Sequence, residues 1–260
     1  MKVEYKRAIL TFLDVLGFGQ RVEKSRSPAP ILKLLRKTTQ KTKASSGVLK
    51  LDGSFKTWTT TRTFSDLIVR HTEISPHHTN LIERVNIEIQ YLVQMQCDLL
   101  ARDGILIRGG VCMRDCHIDD DFIFGPALNE SYRLEHQVAA YPRIVIDKQL
   151  ITQTESETEK IWPPSLKRGE DGATFVNYLY AAYRYAETNG FMQVNFTNRL
   201  QLLNAHKGKI HRELNRRKLD ERARQKWLWA GLYHNSVLER LISERENIKN
   251  AHMIPESLLK

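Results

Sequence analysis

The chain has 260 residues, 41% of them hydrophobic, which is enough apolar material for one sizeable core. No apolar run reaches the roughly 18 residues that a membrane helix requires, and the start lacks the cleavage site of a signal peptide. We therefore expect a cytoplasmic protein that does not use a membrane. The net charge of +10, from 40 basic and 30 acidic side chains, suits an anionic partner such as a nucleotide or a nucleic acid.

The cysteines and the main basic stretch do not by themselves indicate a special chemistry. Cys97, Cys112 and Cys116 are irregularly spaced, and no second ligand pair accompanies Cys112-x-x-x-Cys116-His117, so reduced thiols are expected rather than a zinc site. The stretch 207–226 is rich in Lys and Arg but interleaved with acidic residues and free of aromatic residues. It predicts a solvated helix with i,i+4 ion pairs, and the alternative is a nucleic-acid-binding stripe.

The order of predicted elements indicates an α+β fold. Thr-, Phe- and Val-rich segments favour strands, and leucines and valines at helical spacing favour a long helix that Gly104 would terminate. The order β-α-β-β-α-β-β-α-β predicts a ferredoxin-like βαββαβ sandwich with an added hairpin and with helices packed on one face of the sheet. In chain order the elements are a strand at 7–17, a helix at 30–43, β segments at 47–51 and 56–71, a helix at 75–104, a strand at 105–115, a turn at Asp119-Asp120-Asp121, a strand at 122–125, a helix within 125–135 and a strand at 141–147.

The sequence predicts a catalytic core domain at 1–150 and a mostly helical extension at 151–260. Apolar stripes in the extension predict helices that pack on the core or across a dimer interface. The residues expected in that packing are Trp227, Trp229, Leu232, Val237 and Leu241.

Two carboxylates occupy positions that suit divalent cations. Asp14 ends the first strand, and Asp66 lies at a turn between β segments. If the first and third strands are neighbours, these side chains can face each other and supply the hard oxygen ligands that two metal ions share. Each aspartate taken alone is equally explained as a cap or turn residue.

Two further features point to phosphate. Gly17 and Gly19 follow Asp14, and the helix that begins there would direct backbone amides at an anion; a simple strand-to-helix turn is the alternative. Asn129 and Arg133 are spaced i,i+4, so a helix presents an amide and a guanidinium fork on one side. An exposed helix face would explain the second pair equally well.

Together, these motifs resemble the class III nucleotidyl cyclases, over roughly residues 5–147. The resemblance lies in FLDVLGF (12–18), TFSD (63–66), RGGV (108–111) and GPALNESYRLE (125–135), in the order found in that family. With YPRIVID (141–147), the chain is most similar to the pyrimidine cyclases of Pycsar anti-phage defence.

The resemblance implies a role for each residue of the site. Asp14, Asp66 and the Val15 carbonyl would hold two Mn²⁺ or Mg²⁺ ions, and Asn129 and Arg133 would stabilise the transition state. Gly17, Phe18 and Gly19 would bind the nucleotide. Members of the family act as homodimers, so the carboxylates of one copy would face the Asn–Arg pair of the other. The family's late triphosphate-binding lysine has no clear counterpart.

The resemblance also indicates the base. Arg62 and Phe122 stand where adenylate cyclases of the family carry a Lys and an Asp, and Phe122 cannot accept a hydrogen bond from an adenine amino group. Arg62 offers only donors, which suits the carbonyl-rich edge of uracil, although a solvated strand arginine is an equal explanation. The expected reaction is UTP to 3′,5′-cyclic UMP, a messenger for a separate effector in antiviral defence. The alternatives are a cytidylate cyclase acting on CTP, a purine cyclase or related palm-type polymerase, and a non-catalytic nucleotide- or nucleic-acid-binding module.

Overall fold

The fold is described from a computed structural model of the chain. It describes residues 4–44, 48–51, 54–57, 59–74, 81–155, 165–185, 199–244, 248 and 252–259.

The strands form one large mixed sheet and one separate hairpin. Among the described residues they are β1 (Lys6–Val15), β2 (Val48–Leu51), β3 (Ser54–Thr57), β4 (Thr59–Phe64), β5 (Leu67–Glu73), β6 (Ile107–Ile118), β7 (Ile123–Phe124), β8 (Ile144–Ile146), β9 (Leu166–Arg168) and β10 (Thr174–Val176). The large sheet has the order β4-β5-β1-β6-β8-β10-β9, with β7 paired to β6, while β2 and β3 pair with each other. Neighbours are antiparallel except β6 and β8, which are parallel.

The helices surround this sheet. Over the described part of the chain they are α1 (Phe18–Lys24), α2 (Ala29–Ala44), α3 (Leu81–Asp98), α4 (Pro126–Arg133), α5 (Lys148–Glu155), α6 (Tyr178–Tyr185), α7 (Arg199–Leu214) and α8 (Glu221–Ser243). A π-helical turn at Leu99–Asp103 extends α3, and another at Leu134–Val138 extends α4. None of these helices is long and apolar enough to span a bilayer.

Helices cover both faces of the sheet, and the expectation of helices on one face was wrong. Thr11 of β1 donates to Glu88 of α3 at 2.9 Å between the two side-chain oxygens, whereas the ring of Phe12 contacts Tyr132 of α4 at 5.5 Å between centroids. Successive strand residues point to opposite faces. Helix α3 therefore lies on one face and α4 on the other, where it covers β6 and the adjacent side of β1.

The long helix predicted at 75–104 is found as α3 and its π-helical turn, although residues 75–80 lie outside the described part. Gly104 ends this segment in the left-handed region, with φ of 63°, and its amide donates to the Leu100 carbonyl. The predicted C-cap glycine is confirmed. On the sheet side of α3, the Glu88 carboxylate also accepts hydrogen bonds from Nε and Nη2 of the buried Arg70, at 2.9 and 2.8 Å. These bonds anchor the helix to β5.

The extension after residue 150 contains strands as well as helices. Strands β9 and β10 continue the main sheet beyond β8, and α8 then packs against them: the Trp229 ring stacks on Tyr141 and meets Phe175 edge-on. Trp227, Val237 and Leu241 are buried as predicted, but Leu232 is 56% exposed. Because Leu232 falls on the outer side of α8, it does not belong to the apolar stripe that faces the sheet.

Candidate active site

Asp14 and Asp66 meet at one end of the sheet. Asp14 is opposite Leu67 in the β1–β5 register, and Asp66 precedes Leu67 in the two-residue turn that joins β4 to β5. Ser65, the other turn residue, has φ of 57°, a left-handed conformation that costs an ordinary L-residue about 1 kcal/mol or more. This tight turn places the Asp66 carboxyl group within hydrogen-bonding reach of Asp14.

The closeness of the two acids shifts the titration of Asp66. Burial raises the pKa of Asp66, and the negative charge of Asp14 together with the hydrogen bond between the two carboxyl groups raises it further, against hydrogen bonds that lower it. Two carboxylates held together in this way repel each other when both are ionised. A divalent cation would relieve that repulsion, so the donor set fits a hard metal ion.

Cations of the same chain already partly balance this charge. Arg108, opposite Asp14 on β6, donates from Nε to Asp14 at 3.1 Å. The same nitrogen lies 2.7 Å from Glu135, which is almost completely buried just after α4. Burial raises the pKa of Glu135, while Arg108 acts in the opposite direction. Arg108 therefore links the end of β1 to the turn that follows α4.

Helix α8 brings a lysine, Lys226, close to Asp14, and no sequence motif indicates this residue. The Asp220 side chain caps α8 and accepts a hydrogen bond from Gln20 of α1 at 3.1 Å, while Trp229 packs beyond β8. Between these contacts the half-buried Lys226 lies near Asp14 and Arg108: burial lowers its pKa, Arg108 lowers it further, and Asp14 raises it. No local pattern could have indicated this residue, because more than 200 positions separate it from Asp14.

The loop after Asp14 keeps its backbone open. Val15 is the last residue of β1, and Gly17 has φ of 77°, which favours glycine at that position. Gly19 is exposed, with open space beside its backbone. The ring of Phe18 is buried in the core, so only its backbone can approach a ligand.

Asn129 and Arg133 lie on the exposed side of α4, as their spacing predicts. In this chain Arg133 is held by its own helix: Nε and Nη2 donate to the Glu130 carboxylate at 3.0 and 2.6 Å. Arg114 of β6 lies 3.5 Å from the same carboxylate and 3.1 Å from Asp147. The guanidinium of Arg133 is thus directed to acids beside β8, and the structure does not bring it to Asp14 or Asp66.

The two residues expected to select the base are neighbours. Arg62 Nη1 donates to the backbone carbonyl of Phe122 at 3.5 Å, although 60 positions separate them. Phe122 ends the Asp119–Asp121 turn, where the Asp119 carboxylate accepts the amides of Asp121 and Phe122. Its ring is 65% exposed. The turn of the β6–β7 hairpin therefore reaches the face of β4.

The cysteines and the basic stretch lie away from this end of the sheet or carry local ion pairs. The three cysteines are free and buried, and burial raises the pKa of Cys112 to about 12, so this thiol is neutral. The basic stretch is split between α7 and α8 by a turn rather than forming one helix, and it carries the i,i+4 pair of Lys209 with Glu213. Over the described residues, no group of three or more His, Cys, Asp or Glu side chains is arranged to hold a metal.

Comparison with known proteins gives a distant structural match. No protein-family model matches the chain, and no curated protein does. A solved structure described as an adenylate/guanylate cyclase/hydrolase from Silicibacter pomeroyi aligns with a TM-score of 0.34 and 17% identity, over 66% of this chain and 95% of that one. Similarity this distant establishes neither family nor activity, and function has to be argued from the site.

Proposed function

We propose that the chain is a uridylate cyclase that converts UTP to 3′,5′-cyclic UMP and pyrophosphate. The observation that carries the proposal is the meeting of Asp14, at the end of β1, with Asp66, in the β4–β5 turn, which places two carboxyl groups side by side at one end of the sheet. A turn or cap residue has no reason to lie against a second acid, whereas a site for divalent cations requires such a pair.

The strand order supports a ferredoxin-like cyclase core. Read as β1, α1 and α2, β4, β5, α3 and β6, the chain has the βαββαβ sequence, with β1 and β5 as central neighbours. That arrangement is the one expected from the cyclase resemblance. Beyond residue 150, the described β9 and β10 continue the sheet, and α8 passes its carboxylate end.

The residues at this end fit Mn²⁺ or Mg²⁺. Asp14, Asp66 and the Val15 carbonyl would hold the ions through hard oxygen ligands. When bound there, two such ions lower the pKa of the ribose 3′-hydroxyl and neutralise charge on the triphosphate. Lys226 offers a further positive charge at the same end.

In the proposed reaction the 3′-oxygen forms a bond to the α-phosphorus while the bond to the bridging oxygen breaks. Pyrophosphate leaves with that electron pair, and the hydroxyl proton passes to solvent. Charge grows on the α-phosphate oxygens, to which Arg133 and Asn129 would donate preorganised hydrogen bonds. Arg133 is paired with Glu130 of its own helix rather than with the carboxylates of its own chain. This supports the proposal that a second copy supplies the Asn–Arg pair, in a homodimer with sites at its interface.

The base assignment rests on Arg62 and Phe122. Arg62 supplies donors only, and the exposed ring of Phe122 beside it offers a surface on which a base can stack. Uracil presents two carbonyl acceptors, so UTP is favoured over CTP and over purine nucleotides. By resemblance to the Pycsar cyclases, the product would act on a separate effector in anti-phage defence.

Product identification tests the proposal. Purified protein is incubated with UTP, CTP, ATP or GTP and Mn²⁺, and the products are identified by mass spectrometry beside pyrophosphate release. Cyclic UMP from UTP is expected; conversion of ATP or GTP alone would defeat the pyrimidine assignment. If no nucleotide released pyrophosphate while the protein shifted oligonucleotides at physiological salt, a binding module would replace the cyclase.

Substitutions in the proposed site test, in the same assay, whether these residues carry the activity. Arg133→Ala should lower the rate on the order of 10²–10³-fold, as expected for loss of one transition-state donor. Arg216→Ala is the matched control, because Arg216 is also an exposed arginine that pairs with a glutamate three positions earlier, at 3.6 Å. Its activity should equal that of the unmodified protein.

A further inference from the structure

His71 lies on the same face of the sheet as Arg62. His71 of β5 is paired with Leu10 of β1, and Arg62 of β4 is paired with Val69, which in turn is paired with Phe12. Directly paired residues share a face, and Phe12 contacts α4. His71 and Arg62 therefore both project on the α4 side of the sheet.

The imidazole of His71 has an unsatisfied nitrogen. Its Nδ1 is buried and, within the part of the chain that the structure describes, has no hydrogen-bond partner. An unpaired buried acceptor costs less than an unpaired buried N–H group, since buried N–H donors are the groups that proteins almost always satisfy. The neutral ring is therefore expected to carry its proton on Nε2, at the end of the side chain away from the strand.

The surroundings keep this ring neutral. Burial lowers the pKa of His71, and the positive charges of Arg62 and Lys6 lower it further, against the opposing effect of Glu73. At neutral pH the ring consequently presents one N–H donor rather than a charge. Arg62, beside it, presents donors as well.

We propose that His71 reads a base bound beside Arg62 and Phe122, as a hydrogen-bond donor that favours uracil over cytosine. This inference rests on the proposed cyclase function and names a specificity residue that the motifs do not contain. The O4 carbonyl of uracil accepts a hydrogen bond from Nε2, whereas the N4 amino group of cytosine meets a donor with a donor. Discrimination then comes from the polar group that the wrong base leaves unpaired.

The test is a competition between UTP and CTP. His71→Leu removes both ring nitrogens at similar volume, and His71→Gln keeps an N–H donor. For His71→Leu we expect the ratio of kcat/KM for UTP to that for CTP to fall about tenfold, mainly through UTP. His71→Gln should keep most of the activity on UTP, because its N–H group can still donate to O4, but its amide oxygen can accept from cytosine and so lowers the ratio. Thr72→Val is the matched control: Thr72 is the next residue on β5, faces the other side and is hydrogen bonded to Thr59 at 2.7 Å.

Each outcome decides between the proposals. A UTP:CTP ratio in His71→Leu within about twofold of the unmodified protein, with an unchanged melting temperature, overturns the role of His71 and leaves the cyclase proposal standing. If the unmodified protein releases pyrophosphate from no nucleotide, the cyclase proposal fails. Calorimetric titration with UTP and with CTP in Ca²⁺ then still tests His71, because loss of base discrimination in His71→Leu is expected in binding as well.

Discussion

The carboxylate end of the sheet and the exposed side of α4 differ in how they are built. The carboxylate end combines distant parts of the chain, since Asp14 of β1 meets Asp66 of a hairpin and Arg108 of β6, with Lys226 of α8 nearby. The α4 side is local, and its arginine is held by Glu130 of the same helix. One region needs the whole fold to form, and the other needs a single helix in place.

Under the proposed function, this difference lets one chain carry two half-sites without joining them. Arg108 balances Asp14, and Glu130 balances Arg133, so each half is electrostatically satisfied by its own neighbours. Charge balance therefore does not require the two groups to meet within one chain. Damage to one half should therefore leave the other intact, and two differently damaged copies should complement each other.

The largest expected effect is this complementation. Asp66→Asn keeps the size of the side chain but removes a metal ligand, and it should lower cyclase activity on the order of 10³-fold, since several kcal/mol of transition-state stabilisation are lost. Arg133→Ala disables the other half. When the two variants are mixed and allowed to exchange subunits, about half of the dimers carry one intact site, so about one quarter of the unmodified activity should return.

Two results would contradict the assignment of the carboxylates and the Asn–Arg pair to separate copies. Mixed variants that stay as inactive as either variant alone, with exchange verified by a tagged subunit, would place both halves in one chain. Variants that do not fold would also fail to complement each other. The melting temperature of each variant is therefore measured to show that it is folded. Asp66→Asn mixed with itself is the matched control and should regain nothing.

Acid should destabilise the region around α8 more than the region around α4, because the packing of α8 depends on buried histidines. His206 Nε2 meets the Tyr178 hydroxyl at 2.8 Å, its Nδ1 meets His234 Nδ1 at 3.1 Å, and His234 Nε2 meets the His252 carbonyl at 3.0 Å. Burial lowers the pKa of His234 to about 4 from an ordinary 6.5. Below pH 6.5 the His234 ring binds a proton in the unfolded chain but not in the folded chain. The contribution of this histidine to the free energy of unfolding is therefore fully present above pH 6.5 and is lost as the pH falls towards 4.

The expected loss is about 2 kcal/mol in the free energy of unfolding at pH 5 relative to pH 7. Denaturant unfolding at the two pH values measures it, and hydrogen exchange should show α8 amides losing protection before those of α4. The exposed His211→Gln variant should keep the full pH dependence. Equal stability at both pH values would refute the role of the buried histidines.

The same contrast explains what the sequence could predict. Asn129 and Arg133 follow from i,i+4 spacing within one helix, and the main strands and α3 follow from periodicity, because these signals are local. The pairing of Asp14 with Asp66 was predicted only through an assumed strand order. The structure supplies that order, with β5 beside β1.

Long-range contacts account for what the sequence missed. Arg108 contacts Asp14 because β6 pairs with β1, and Lys226 lies near Asp14 only because α8 passes the end of the sheet. The strands β9 and β10 have three residues each, too short for an alternating pattern to be recognised. The placement of α4 opposite α3 depends on which face each helix covers, which element order alone does not determine.

Lys226 tests whether the extension contributes to the carboxylate half. Lys226→Met retains length and apolar packing but removes the charge, so we expect KM for UTP to rise about tenfold with a smaller change in kcat, as for loss of one charged hydrogen bond. Lys218→Met, in the exposed turn between α7 and α8, is the matched control and should leave KM unchanged. An unaltered KM in Lys226→Met would limit the extension to a structural role.

The smallest effect is expected at Glu130, which binds Arg133 in the α4 half. If Glu130 competes with the substrate phosphate for this guanidinium, Glu130→Gln should raise kcat/KM by about 1.4- to 5-fold, the range that corresponds to an exposed ion pair of 0.2–1 kcal/mol. Glu213→Gln, which releases Arg216 just after the end of α7 from the same i,i+3 spacing, should leave kcat/KM unchanged. A slower Glu130→Gln enzyme would mean that the pair positions Arg133 for the substrate. In that case the α4 half is preorganised within its own chain, as the carboxylate half is.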